Sequence, residues 1–382
     1  MTDAAMNRTT RWAWAEVDLD AYAHNIGVMK KIADTSDVWA VVKANAYGHG
    51  AVPVARAAVA AGASGLCVAI TSEGVELRAA GIECPILVFS EQPVSELEQL
   101  VASRLVPTVY RESYVEELAS VVRTKNAGRL DVHLKIDTGM HRVGAEPKRA
   151  NAIVERIDKN SDALRLAGVY THFAAADVPD HVANEHQSAA FFSVLNELGD
   201  SIAGTTIHAV NSAGAMSLPM HRHDFIRVGI AGYGIVPGDG VAHLCSELRP
   251  VMSLHARVSH VQHLAAGEGV SYGHRGVTSR PTVVATLPIG YADGVPRRLW
   301  SQGGAVLLRG KRCPIIGVVT MDQLMVDCGD LSVEIGDEAV LIGRQGSEEI
   351  RAEHWASALD TIGYEITCGI GSRVPRVYTR SV

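Results

Sequence analysis

The 382-residue chain has no Cys-x-x-Cys pair, no Gly-x-Gly-x-x-Gly after its first apolar run, and no apolar stretch long enough to span a bilayer. Each absence removes a class of function. Six cysteines scattered at 67, 84, 245, 313, 328 and 368 argue against a zinc knuckle and for reduced thiols in a cytoplasmic protein. The missing glycine fingerprint argues against a dinucleotide-binding open sheet. Basic blocks are absent and the net charge is −7, which gives no reason to expect nucleic acid as a partner. Residues 1–10 are polar and lack the apolar centre of a signal peptide. The one dense histidine cluster, His221-Arg222-His223-Asp224, has no distant Cys/His set to complete a site, so no metal is expected.

What remains is an ordinary globular composition, 47% hydrophobic and 20% charged. Eight short apolar, β-branched runs occupy the first 230 residues: 38–44, 66–70, 85–89, 106–110, 132–137, 167–173, 206–211 and 225–230. Helical patterns lie between them at 51–63, 71–80, 94–105, 112–126, 148–159 and 184–198, the second opening on a Ser/Thr cap with a glutamate in its first turn. Strands alternating with helices indicate parallel β-α units, and eight is the count of a closed (β/α)8 barrel, with a doubly wound open sheet as the rival. The expected class is therefore α/β, an N-terminal TIM barrel over 15–245.

Beyond 245 the helical period fades and alternating segments separated by Gly/Asp turns take over: 255–264, 282–287, 305–308, 313–319, 324–328 and 338–342. A mainly β domain is expected over 246–382, with one short helix near 352–359. The N-terminal segment Ala13–Asp18, with alternating Trp12, Trp14 and Val17, also reads as a strand. It is expected to join this domain, residues 10–14 being assigned to the β side.

In a barrel the carboxyl ends of the strands share one mouth. The polar residues fall there: Lys43 at the end of the first run, Asp137 at the end of the fifth with Thr138 to Arg142 following, Thr171-His172-Phe173 at the end of the sixth, and Asn211-Ser212 at the end of the seventh. Arg227 lies inside the eighth. A lysine ending a buried strand loses hydration, so its amine can be neutral near pH 7, as a Schiff-base lysine requires. The turn Tyr47-Gly48-His49-Gly50 behind it is suited to an anion. Loops after the last two barrel strands, here Asn211-Ser212 and Gly229-Ile230, often bind phosphate. Phosphate beside a Schiff-base lysine suggests pyridoxal 5′-phosphate.

Ten blocks then carry a specific resemblance: Ala-Val-Val-Lys-Ala-Asn-Ala-Tyr-Gly-His-Gly at 40–50, Lys-Ile-Asp-Thr-Gly-Met-His-Arg-Val-Gly at 135–144, Thr-His-Phe-Ala-Ala-Ala-Asp at 171–177, Asn-Ser-Ala at 211–213, Arg-Val-Gly-Ile at 227–230, Gly-Val-Ser-Tyr-Gly at 269–273, Ile-Gly-Tyr-Ala-Asp-Gly at 289–294, Met-Asp-Gln at 321–323, Tyr-Glu-Ile at 364–366 and Arg-Val-Pro-Arg-Val-Tyr at 373–378. In this order, and over nearly the whole chain, they resemble the alanine racemase family, the fold-type III pyridoxal-phosphate enzymes.

The resemblance implies a homodimer with shared sites, acting on a small amino acid and supplying D-alanine for peptidoglycan. Lys43 would hold the cofactor and serve as one base. Tyr272 of the partner subunit would be the other, supported by His172. A phenol is a poor base at its usual pKa of about 10, so the tyrosine must be tuned or its proton relayed. Arg227 would meet the pyridine nitrogen. Arginine does not give up a proton, which leaves the ring a weaker electron sink and suits racemisation. Arg142 would bind the cofactor's phenolic oxygen and the substrate carboxylate, with Met321 of the partner. The phosphate would lie among Tyr47, Asn211, Ser212, Gly229, Ile230 and Tyr364. Tyr291, Arg297 and Asp322 match an entrance, although Asp322 could instead fix a turn and Asp137 anchor a loop. Lys135 matches a lysine carbamylated in many relatives. Thr320 departs from the usual cysteine and bears on entrance shape and substrate range. The alternatives are a racemase of broader range (serine or others), a fold-type III decarboxylase, which would carry a glutamate in place of Arg227, and a non-catalytic cofactor carrier, which would lack the β domain and Tyr272.

Overall fold

The computed structural model describes residues 10–379. Its contacts divide the chain into two units. One comprises Tyr22–Ala46 and Ala51–Arg249. The other gathers the residues up to Ala21, the short Tyr47–Gly50 segment, and the chain from Pro250 onward.

Strand β1 (Ala13–Asp18) precedes a helix at Leu19–Ala33. The eight barrel strands follow as β2 (Asp37–Val41), β3 (Gly65–Val68), β4 (Ile86–Val88), β5 (Val106–Val109), β6 (Leu130–Lys135), β7 (Leu164–Tyr170), β8 (Thr206–His208) and β9 (Phe225–Val228). All pair in parallel, in the order β8-β7-β6-β5-β4-β3-β2-β9. The ladder is open only between β8 and β9. There the Asp224 N–H donates to Ile207 O at 3.0 Å and the Arg227 N–H to Val210 O at 3.1 Å, so the barrel is nearly closed. Strands β2, β3 and β9 are short and almost wholly buried on both faces, as parallel strands covered by helices must be. The covering helices show why they form. Tyr114, Val115, Leu118, Ala119 and Val122 make one buried stripe on Glu112–Thr124, and Ala150, Ile153, Val154 and Ile157 make another on Ala150–Lys159.

Residues near these helix starts depart from expectation. Thr71 does not cap the helix Thr71–Ala79, which begins after Ile70. Its first-turn Glu73 reaches back to accept from Ala69 N (2.8 Å) and Ile70 N (3.3 Å), while the Thr71 N–H and hydroxyl donate to Gln92 Oε1.

In the second unit, β10 (Met252–Arg257), β11 (His260–Leu264), β12 (Gly269–Val270), β13 (Gly276–Val277), β14 (Thr282–Leu287), β15 (Ala305–Leu308), β16 (Lys311–Pro314), β17 (Leu324–Gly329), β18 (Glu338–Gln345), β19 (Glu348–Ile350) and β20 (Arg376–Thr379) build the sheets. The largest runs β16-β15-β18-β10-β1-β20, so the N-terminal strand lies between β10 and β20. The expected single run 255–264 is two strands because the chain changes sheets there. Val258 N–H donates to Asp337 O and Ser259 N–H to Thr286 O, handing the backbone from one partner to the next. The expected strand 313–319 stops at Pro314. Gly317 has φ +75°, and a side chain on it would meet Val270 O at 2.5 Å. A helix at Gly363–Gly369 was not visible in the sequence, being short and bounded by glycines. No described helix is long and apolar enough to cross a membrane.

The barrel interior tests this packing. A Cβ at Gly168 on β7 would approach the His133 ring to 2.6 Å, and that ring is fixed by its own hydrogen bond. Gly168→Ala should therefore lower unfolding stability by about 1–3 kcal/mol, the usual cost of overpacking. Denaturant titration measures it, and an unchanged midpoint would mean the ring has room to yield.

Candidate active site

Inside the barrel, aromatic rings stack in a layer. Trp39 stacks on Phe225 (4.4 Å between centroids), Phe225 on His208 (4.1 Å), and His208 on Tyr170 (4.4 Å). Arg227 is buried in this layer, with its guanidinium 5.3 Å from the Tyr170 ring. Among the described residues no carboxylate pairs with it. Its NH1 donates to His208 Nδ1 at 2.7 Å. Its NH2 lies 3.0 Å from His172 Nδ1 and donates to Thr171 O (3.0 Å) and Ala209 O (2.8 Å).

Arginine can only donate, so both imidazoles must accept at Nδ1 and carry their proton on Nε2. His208 Nε2–H then donates to His133 Nδ1 at 3.0 Å. Burial, followed by the Arg227 charge, holds His172 and His208 well below the ordinary histidine range, and burial takes His133 down to about 4. At neutral pH the three rings are uncharged and Arg227 is the cation among them. Burial lowers its own pKa only to about 10.

Lys43 stands two residues past the end of β2, half-buried. It lies close enough to Cys67, Lys135 and His172 to act electrostatically on each. The backbone after it is unusual. Ala44, Asn45, Ala46 and Tyr47 all have φ between 52° and 53°, a full left-handed turn of L-residues. Such a conformation costs roughly 1–2 kcal/mol per residue outside glycine, so it persists only where neighbours over-determine it. Glu73 Oε1 accepts from Ala44 N at 2.5 Å, and Asn45 Oδ1 accepts from Ala51 N, the start of the next helix, at 2.8 Å. Glu73 thus holds three backbone N–H groups, two from its own helix start and one beside Lys43.

Lys135 ends β6, buried, with its Nζ 5.7 Å from the Tyr170 ring. Burial first, then the Arg142 and Arg227 charges, bring its amine down to about 7. Arg142 itself is exposed on a cavity of about 860 Å³ that it shares with Tyr110, Arg111, Lys148 and Arg149. Asp137 anchors the loop between them: its Oδ1 accepts from Gly139 N (3.1 Å) and His141 N (3.0 Å). Burial opposes its charge, but these donors and His141 outweigh that and leave the carboxyl below its usual range. Gln187 ties the neighbouring strand ends together, donating to His172 O (2.9 Å) and Thr138 Oγ1 (3.2 Å).

At the other end of the strand array, Ser212 is buried and its Oγ accepts from Gly229 N (2.9 Å) and Ala231 N (3.3 Å). With both lone pairs engaged, its O–H is left to donate. The Ile230 N–H begins a 3-10 turn, where no carbonyl of that turn can reach it. These donors suit a phosphate. Asn211 caps the helix Ser212–Ser217, accepting from Gly214 N at 3.0 Å.

In the second unit, Tyr47 and Tyr364 form a ring pair 6.0 Å apart. Tyr272, Met321, Tyr291, Arg297 and Asp322 are all exposed, Tyr272 to 73%. Hydrogen bonds join their segments: Tyr291 N–H to Thr320 O, Ala292 N–H to Met321 O, and the Ser271 side-chain Oγ–H to Val318 O (2.7 Å). Below them buried Asp293 meets Arg11 at 2.7 Å and Arg373 at 3.2 Å, and Arg373 extends to Asp322 at 2.7 Å. Thr320 turns its hydroxyl inward, donating to Gln323 O (2.8 Å) and accepting from Gln323 N (3.2 Å), which closes the Met-Asp-Gln turn.

Sequence reasoning missed His208, His133, Glu73 and Gln187. His208 carried a usable signal, a polar residue on the inward phase of a buried strand beside another inward-facing polar group. Glu73 carried none, because an acidic residue in a first helical turn is ordinary.

A nearly closed eight-stranded α/β barrel, with lysine and arginine at its carboxyl rim and a separate β unit, is the architecture of a barrel enzyme. The alanine racemase N-terminal domain family matches residues 17–237 and the C-terminal domain family matches 251–378. An alanine racemase of Symbiobacterium thermophilum is 46% identical over 96% of this chain and 97% of its own length, and one of Halothermothrix orenii is 42% identical over 98% and 99%. The solved alanine racemase of the D-cycloserine producer Streptomyces lavendulae superposes with a TM-score of 0.91 at 38% identity, covering 98% of this chain and 99% of its own. That of Bacillus anthracis, with bound L-Ala-P, gives 0.90 at 38%, covering 98% and 96%. The chain belongs to the alanine racemase family, a family of isomerases.

Lys135 gives this site a pH signature. Its amine titrates near 7 when folded and near 10.4 when unfolded, so between those values the unfolded chain binds more protons and stability rises with pH. In buffer free of carbon dioxide, the native protein should gain on Lys135→Met by on the order of 2 kcal/mol between pH 7 and 9. Urea unfolding at the two pH values measures the gap, and a constant gap would mean that Lys135 is charged in the fold.

Proposed function

We propose that this protein interconverts L- and D-alanine with pyridoxal 5′-phosphate, using Lys43 and the partner subunit's Tyr272 as its two bases. Arg227 carries the reading: a buried guanidinium with imidazole and carbonyl partners, where a decarboxylase of this fold type would have a carboxylate. The donor set fits the cofactor. Lys43 offers an amine for attachment, Ser212 and Ile230 offer donors to a phosphate, and Arg227 offers a donor to a pyridine nitrogen that it cannot protonate. Tyr47 and Tyr364 would add to the phosphate set, and Asn211 would support it by capping the helix behind Ser212.

When bound, the cofactor supplies the electron withdrawal that acidifies the substrate Cα–H. Lys43 Nζ removes or returns that proton on one face, and the phenol of Tyr272 does so on the other. His172 tunes the phenol. Held neutral, with Nδ1 committed to Arg227, it presents Nε2–H as a donor, which stabilises a phenolate and lowers the pKa of the tyrosine. Arg142 and the partner's Met321 hold the substrate carboxylate, and Tyr291, Arg297 and Asp322 border the way in. The exposure of Tyr272, Met321 and Tyr291 supports a homodimer in which each chain completes the other's site, because exposed apolar side chains gathered on one surface mark an interface. A neutral Lys135 amine also supports carbamylation: it adds to carbon dioxide, releases a proton, and becomes an anion facing Arg142. The role of D-alanine in peptidoglycan follows from the same reading, and so does a cytoplasmic location.

Three outcomes are expected. Borohydride should fix the cofactor's visible chromophore on Lys43, and a label on another lysine would reject the assignment. L-Alanine incubated in D2O should become D-alanine carrying deuterium at Cα, whereas carbon dioxide release would point to decarboxylation. Tyr272→Phe should slow proton removal from one enantiomer at least 100-fold more than from the other, in line with the ~10²–10⁴-fold worth of a general base. Equal, modest losses in both directions would count against two bases.

A further inference from the structure

Cys313 on β16 and Cys328 on β17 lie outside the site described above. Their strands meet at one antiparallel bridge, Ile315 with Val326, and the Ile316 N–H donates to Met325 O at 2.9 Å. Continuing that register by two residues sets Cys313 opposite Cys328, in a pair without mutual backbone bonds. Opposed Cα atoms in such pairs stand about 4.5 Å apart, their side chains closer than at any other register position. A disulfide accepts Cα separations of about 4.4–6.8 Å. Both thiols are buried, and each lies close enough to shift the other's ionisation. Between them runs the 314–327 segment that carries Thr320, Met321 and Asp322.

We propose that Cys313 and Cys328 are an oxidisable dithiol that closes, in the folded protein, into a reversible cross-strand disulfide at the foot of the loop presenting Met321. Each S–H turns to a backbone carbonyl, Cys313 to Lys311 O and Cys328 to Val326 O, and the interaction of the two thiols pulls that of Cys313 down and pushes that of Cys328 up, so Cys313 ionises first. The oxidant is a hydroperoxide. The Cys313 thiolate attacks its terminal oxygen, the O–O bond breaks, and the departing oxygen leaves protonated as water or an alcohol. Cys313 is then a sulfenic acid, oxidised by two electrons as the peroxide is reduced by two. The Cys328 sulfur displaces hydroxide from it, forming S–S as S–O breaks, and its proton leaves with that hydroxide as water. A thiol reductant reverses the closure by exchange. The disulfide would close a short loop, so it should also raise the thermal midpoint by a few degrees.

The test treats the full-length protein, with its cofactor bound, with hydrogen peroxide. After an acid quench the protein is unfolded in an alkylating reagent and digested with trypsin. Residues 313–344 contain no lysine or arginine before Arg344, so both cysteines fall in one peptide. Exposed Cys368 reports the oxidant dose. The expected peptide is two hydrogens lighter than the reduced form and bears no alkyl group until a reductant is added. In Cys328→Ser the disulfide should be lost and a dimedone adduct should appear on Cys313. The proposal fails if the peptide still carries two alkyl groups at a dose that has oxidised Cys368. It fails equally if the link forms only when peroxide is added to the unfolded chain.

Discussion

The structure depends on how a guanidinium is kept charged inside a barrel. Moving an ion out of water costs several kcal/mol even after relaxation, and Arg227 has no carboxylate to offset it. Two carbonyls, two imidazoles and the face of Tyr170 replace water instead. That solution has consequences outward. It forces the tautomers of His172 and His208, passes a proton donor on to His133, and, through Gly168, leaves a backbone without a side chain where the third ring must lie. The positive charge also spreads to the rim, where it helps to strip Lys135 of its proton. A carboxylate in the same place would have neutralised these effects. The single residue type therefore decides both the packing of the barrel interior and the charge felt at the rim.

The rim is assembled by constraints of two kinds. Side chains such as Lys135 and Arg227 ride on strands, so their positions follow from the barrel itself. Lys43, Asp137 and Ser212 lie just beyond strand ends, where loops must be held by particular contacts: Glu73 and Asn45 for the first, two backbone N–H groups for the second, and the N–H groups of Gly229 and Ala231 donating to Ser212 Oγ for the third. The exposed set in the second unit follows the same logic. Asp293 with Arg11 and Arg373 fixes the segments bearing Tyr291, Met321 and Asp322 from below and leaves their tips in solvent.

Much of this was legible in the sequence. The eight barrel strands could be read because their buried runs are β-branched and bounded by turns, and the helices because their apolar stripes recur every three to four residues. Lys43, Arg227 and His172 stood out as polar residues in apolar surroundings. The rest was hidden for physical reasons. Strand 313–319 could not be seen to stop at Pro314, because the chain beyond it passes through a positive φ at Gly317 beside Val270 O, a neighbour far off in the sequence. The sheet change at Val258-Ser259 is a choice of partners, and composition does not encode partners. Thr71 looked like a cap and is not one, since its N–H and hydroxyl both donate to Gln92 Oε1, a residue beyond the next strand. His208 and His133 were invisible as a pair, because their connection runs across strands far apart in the chain.

The left-handed turn after Lys43 has a further meaning for how the protein fails. Four consecutive L-residues in that region have no nearby relaxed conformation that keeps the contacts to Glu73 and Asn45. The first N–H of the segment is fixed by a helix some thirty residues further along the chain. The position of the amine therefore depends on a carboxylate from a different β-α unit of the barrel, and loss of Glu73 would release that N–H from a strained turn.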